Sequence, residues 1–136
     1  MVSKAKSKGK KSESDEPTVS DLKRKILDTE DIDEIIEFTK HKDNEVRLAA
    51  VKQLCPCKVR KDIDAFWDRV FEMVEDEDAR IRYQILHTMC DGSPPHVESR
   101  VAEALEKFNQ DSDKEIRRKA HKVLASYIRT GKWNVL

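Results

Sequence analysis

A chain of 136 residues with 38% apolar and 40% charged side chains can bury one thin core beneath a heavily ionised surface. Lys+Arg 27 balances Asp+Glu 27, so no net field advertises nucleic acid or an anionic membrane. No apolar run approaches the roughly 18 residues of a bilayer span, and nothing apolar follows the basic N-terminus to make a secretory signal. Three cysteines, an odd number, point to a reducing compartment, and a cytoplasmic location is the expectation.

Residues 1–18, "MVSKAKSKGKKSESDEPT", are too polar to bury and are expected to form a disordered basic tail. Its lysines Lys4, Lys6, Lys8, Lys10 and Lys11 are read chiefly as solvated, with nucleic-acid contact or an import signal as the competing uses. From Val19 onward the apolar spacing is helical. "VSDLKRKIL" aligns Val19, Leu22, Ile26 and Leu27, with Ser20 as its expected cap. "DIDEIIEFTKH" and "DNEVRLAAVKQLC" follow, the second stopped by Pro56, which cannot continue a helix without losing a hydrogen bond. "DIDAFWDRVFEMVE" and "DARIRYQILHTMC" form a second pair, closed by "DGSPP". "VESRVAEALEKFNQ" and "DKEIRRKAHKVLASYIRTG" form a third, with Gly131 as the stop signal.

The second helix of each pair repeats. "DNEVRLAAVKQLC" starts at Asp43, "DARIRYQILHTMC" at Asp78 and "DKEIRRKAHKVLA" at Asp113, a constant spacing of 35 residues. Upstream, Ile35, Val70 and Leu105 fall into the same register, as do Phe38, Met73 and Phe108. A helical pair recurring at such a period is the mark of a stack in which neighbours bury each other's apolar faces.

The shared pattern, Asp-x-x-(Val/Ile)-Arg-x-x-(Ala/Ile)-x-x-x-(Leu/Met), resembles HEAT repeats, in a short form similar to that of small adaptors and of phycobilisome lyase subunits. The resemblance covers about residues 31–130, with a period below the roughly 40 to 47 residues usual for HEAT units. It implies an all-α fold over residues 19–136: a right-handed α-solenoid of three HEAT-like helical hairpins, about 31–60, 61–95 and 96–131, behind an N-terminal capping helix.

On a helical wheel Arg47, Arg82 and Arg117 fall inside the apolar arc, where an unpaired cation is costly. Asp43, Asp78 and Asp113 open their helices and are the expected partners, capping their own helix and facing an arginine of the adjacent unit in a structural ladder, with an anion-binding arginine row as the rival reading. Cys55 and Cys90 share a register position with Ala125, which reads as a place for a small packing residue. Helices pack roughly 8 to 10 Å apart, too far for a Cys55–Cys90 disulfide. A zinc set of Cys55, Cys57, His87 and Cys90 is disfavoured, since Cys-x-Cys is not the usual structural-zinc spacing. No metal and no cofactor are expected.

No catalytic constellation emerges: there is no Gly-rich phosphate loop or nucleophile elbow, and His41, His87, His96 and His121 are scattered. His121 is expected in the core, as are Phe66 and Trp67, while Trp133 with Val135 and Leu136 is expected to cap the far end of the last unit. The resemblance implies that the second helices line a concave face. Leu48, Lys52, Arg80, Tyr83, Gln84, His87, Arg118, Lys119 and Lys122 would point from it, making a partner-binding surface. Charge is polarised along the chain, eight acids from Asp62 to Asp78 facing Arg69 alone, and seven Lys/Arg facing two acids from Asp113 to Lys132. The expected role is a non-catalytic adaptor or scaffold with a protein partner. Nucleic-acid backbone binding through Arg118, Lys119, Lys122 and the tail is the alternative, by likeness to HEAT-fold DNA glycosylases, and weak head-to-tail self-association is a further expectation.

Overall fold

The computed structural model describes residues 16–55 and 62–136. Lys4 to Lys11 of the tail and Cys57 lie outside them. The described residues are all-helical, with seven α-helices and no strand: α1 (Val19–Asp28), α2 (Ile32–Phe38), α3 (Asn44–Gln53), α4 (Asp64–Glu72), α5 (Ala79–Gly92), α6 (Glu98–Phe108) and α7 (Lys114–Thr130).

Local chemistry sets their ends. The cap of α1 is Thr18, not Ser20: its hydroxyl accepts from the Asp21 N–H at 3.1 Å and the Asp21 carboxylate accepts from the Thr18 N–H at 3.1 Å. Three residues beyond Ser20 stands Lys23, which cannot return such a bond, so the reciprocal box forms two residues earlier. Asp31, Asp43, Asp78 and Asp113 cap α2, α3, α5 and α7 by accepting backbone N–H groups of the first turn. Each cap of this kind is worth about 1 kcal/mol. α3 stops at Gln53, ahead of Pro56. α7 stops at Gly131, whose φ of 78° an L side chain would resist and whose N–H donates to the Tyr127 carbonyl at 2.7 Å.

Packing follows the apolar register. α2 packs on α3, α4 on α5 and α6 on α7, each as a hairpin. The second helices also touch in sequence, α3 against α5 and α5 against α7, while α1 lies against α3. Residues 35 apart meet the same environment: Val46, Ile81 and Ile116 are fully buried, as are Ala50, Ile85 and Ala120. Phe66 and Trp67 fill the core edge to face, centroids 4.6 Å apart. The C-terminal residues take a different place from the expected one. The Trp133 indole N–H donates to Ser93 Oγ at 2.6 Å, Asn134 exchanges hydrogen bonds with the Ser93 backbone, and the Leu136 N–H donates to the Cys90 carbonyl at 3.0 Å. They seal the seam where α5 and α7 end, rather than the outward face of the last hairpin. A buried indole needs an acceptor, and the Ser93 turn supplies one there.

Candidate interaction surface

The three arginines are anchored from below in the same way. Nη1 of Arg47 donates to the carbonyls of His41 and Lys42 at 3.1 and 3.2 Å, and Nη1 of Arg82 to those of Asp76 and Glu77 at 2.8 and 3.3 Å. Arg117 repeats the motif with the Asp111 carbonyl at 2.6 Å. Their carboxylate partners correct the expectation. The other edge of Arg47 grips Asp76 with two bonds of 3.1 Å, and that of Arg82 grips Asp111 at 2.8 and 2.9 Å. Asp78 and Asp113 are occupied with their own helix starts, so the acid two residues earlier reaches across to the preceding arginine. These turns are rigid because Asp76 and Asp111 also accept the N–H groups of Asp78 and Asp113 at 2.9 and 2.8 Å. His41 stands at the same register in the first pair, where Nδ1 accepts the Asp43 N–H at 3.0 Å.

Exposure grades along the series. Arg47 is buried (8% exposed), Arg82 is half-buried and Arg117 is exposed. Val51 and Leu86 are buried while His121, at their register, is exposed; Cys90 is buried while Ala125 is exposed. The expected core placement of His121 is therefore wrong, because no described helix covers that side of α7. Burial alone pushes the Cys90 thiol up to about 12, which makes it a packing group. Cys55 Sγ lies 3.6 Å from Asp91 Oδ2. Among the described residues no group of three or more His, Cys, Asp or Glu side chains could hold a metal ion.

Beside this series, α1, α3, α5 and α7 line a shallow groove. One hollow of about 430 Å³ lies over Leu48, Lys52, Ala79, Arg80, Tyr83 and Gln84. A second, of about 210 Å³, adjoins it through Leu48 and Lys52 and reaches Leu27 and Ala49. Leu48 is buried, so it forms floor rather than rim, contrary to its expected exposure. A chain of ion pairs fixes the rim: Lys23 with Glu45 at 3.7 Å, Glu45 with Arg80 at 2.8 Å, and Arg80 with Asp78 at 2.8 Å. The Arg80 bonds hold the Asp78 carboxyl at about 2. Lys119 extends over the Tyr83 ring, 5.7 Å from its centroid, and Arg118 pairs with Glu115 at 2.8 Å. Tyr83 stands 37% exposed at the edge, Lys52 and Lys122 are exposed, and His87 is half-buried one turn further along α5.

The charge polarity of the sequence is mostly cancelled in space. Asp68 pairs with Arg100, Glu75 with Lys107 and Glu72 with Arg69, while Asp62 touches His96 at 2.6 Å. Asp76 and Glu77 serve Arg47, and Asp78 serves Arg80. The acidic block is therefore largely spent on internal partners, with Asp68 and Glu75 tying their hairpin to α6. Lys114, Lys122 and Arg129 have no ion pair among the described residues, which leaves α7 the electropositive element.

Comparison with protein-family models, with curated proteins and with solved structures gave no match to the chain.

Proposed function

We propose that the chain is a short HEAT-like solenoid acting as a non-catalytic interaction module, with a protein partner seated in the groove along α1, α3, α5 and α7. The observation that carries this reading is the combination of an apolar floor at Leu48, Ala49 and Ala79 with a rim already locked by ion pairs. Such a surface loses little side-chain freedom on binding. Tyr83 adds a large, stiff contact with a hydroxyl for orientation.

Quantitative affinity capture tests the proposal, comparing wild type, Lys52→Ala/Tyr83→Ala, and Glu103→Ala on the exposed side of α6. A partner recovered about tenfold less well with the groove variant alone supports it, that factor being a loss of about 1.4 kcal/mol. Equal recovery across all three ends it. Nucleic-acid binding is the second reading, favoured by the unpaired cations of α7. It is weakened because Arg118 is tied to Glu115 and Lys119 rests on Tyr83. A salt titration with duplex DNA decides it: retention that falls steeply with salt and is lost on replacing Arg118, Lys119 and Lys122 supports it, and absence of retention at low salt removes it.

A further inference from the structure

We infer that the outward side of α7 is a second binding site, built on Arg117, for an acidic helical segment of a partner protein. This inference stands apart from the groove. Its ground is the pair of filled precedents in the same molecule. Arg47 and Arg82 each fix Nη1 on a carbonyl of their own turn and present Nε and Nη2 to an aspartate from the following turn. Arg117 has the same carbonyl anchor, and its Nε and Nη2 meet no carboxylate among the described residues. The guanidinium is held in the orientation that accepts a bidentate carboxylate, and its rigid fork makes that recognition geometric as well as electrostatic.

The face around the fork defines the occupant further. Arg117, His121, Ala125 and Ile128 follow the i, i+4, i+8, i+11 spacing of one helical stripe, and all are exposed, Ile128 at 81%. The stripe runs about 16 Å from the fork to Ile128, at about 1.5 Å per residue. Lys114 lies within the stripe and Lys122 and Arg129 along one flank of it, none of them paired with an acid among the described residues. A matching ligand carries an aspartate just before a helix start, as Asp76 and Asp111 do, with further acids about that start and an apolar residue about three turns on. A second copy of this chain fits poorly. Its first hairpin has His41 where the acid is required, and Glu106 and His121 of the last hairpin replace the Phe71 and Leu86 that a like hairpin would cover. A phosphate backbone could meet the fork but has no use for Ala125 and Ile128.

The test uses the full chain and a fluorescein-labelled, helix-stabilised peptide of residues 73–90 carrying Cys90→Ser, which holds the Asp76 turn that fills the Arg47 fork. Fluorescence anisotropy at low salt should give saturable binding. Arg117→Ala in the chain should weaken it on the order of tenfold, and Asp76→Asn in the peptide should do the same. The two changes together should cost no more than either alone. Lys52→Ala/Tyr83→Ala should leave this binding intact, which separates the site from the groove. Absence of saturable binding, indifference to Arg117→Ala, or Arg117-dependent binding of duplex DNA without the peptide would each overturn the inference.

Discussion

Replacing Asp76 by asparagine tests the arginine series most directly. Asp76 Oδ1 accepts from Arg47 Nη2 and from the Asp78 N–H, and Oδ2 accepts from Arg47 Nε. Asparagine keeps an oxygen for the first two and sets an amide donor against Nε. The variant thus removes one charge-assisted bond and the counter-charge while sparing the turn. Both side chains of the pair are only 9% exposed, so the stranded guanidinium cannot turn to water. Removing one partner of a buried pair costs about 3–5 kcal/mol. Arg47 keeps the His41 and Lys42 carbonyls, Asn44 Oδ1 at 2.9 Å and the exposed Glu77 at 3.5 Å, which places the loss near the lower end, about 3 kcal/mol. Urea unfolding at neutral pH measures it as a fall in midpoint at constant slope. Asp111→Asn should cost a similar amount, because Arg82 and Asp111 are 13% and 8% exposed. A loss from Asp76→Asn no greater than that from Glu75→Gln, which breaks an exposed pair with Lys107, would refute the reasoning.

Three further outcomes follow. Thr88 Oγ1 is buried without a hydrogen-bond partner among the described residues, so the near-isosteric Thr88→Val should stabilise the fold by about 1 kcal/mol in the same urea assay; destabilisation would show that the hydroxyl is satisfied. Asp78 is held at about 2 by Arg80, while burial pushes Asp111 up and its bonds from Arg82 and the Asp113 N–H more than offset that, leaving it below its ordinary value. For such depressed groups the unfolded chain takes up protons first, at about pH 4. Their contribution is whole above that pH and is lost as pH falls toward about 2, a slope that Asp78→Asn should flatten in acid titrations followed by circular dichroism. The Cys90 thiol, buried and pushed up to about 12, should react with a maleimide only as fast as the chain opens, so peptide mapping that finds it labelled in the native state would contradict its burial.

Much of the helical layout was legible because each level of the sequence agreed. The spacing of Val46, Ile81 and Ile116, the aspartates ahead of each second helix, and Gly131 after the last all mark features that the packing uses. The partners of the arginines were harder. In "DED" and "DSD" two aspartates lie two residues apart, and either carboxylate is near enough on paper. Only the commitment of Asp78 and Asp113 to backbone N–H groups decides for Asp76 and Asp111. A signal existed in the register itself, since Asp76 and Asp111 are also 35 apart. His121 and Ala125 were misread for a different reason: a wheel gives the face of a residue, whereas burial needs a neighbour on that face. The groove rim escaped prediction because Glu45 and Arg80 belong to successive hairpins and their pairing depends on how α3 meets α5.

The cancellation of charge between α4 and α6 bears on where partners can bind. Asp68–Arg100 and Glu75–Lys107 each span adjacent hairpins, and Arg100 also lies over the Phe71 ring at 4.5 Å. A ligand on that side must displace pairs already made and gains little for doing so. On α7 the balance is reversed. Among the described residues Lys122 and Arg129 have no acid to give up, and Arg117 is fixed by one edge with the other free of any described carboxylate. Attraction there is not offset by a partner among the described residues, so long-range charge and a short-range fork act on the same ligand. The groove works by a different logic, because Lys23 and Arg80 are already paired, Lys52 is the cation left over among the described residues that line it, and most of its selectivity must come from Leu48, Ala49 and Tyr83. Binding in the groove should therefore depend on salt only weakly, through Lys52, and binding at Arg117 strongly, so the two sites separate in a single titration.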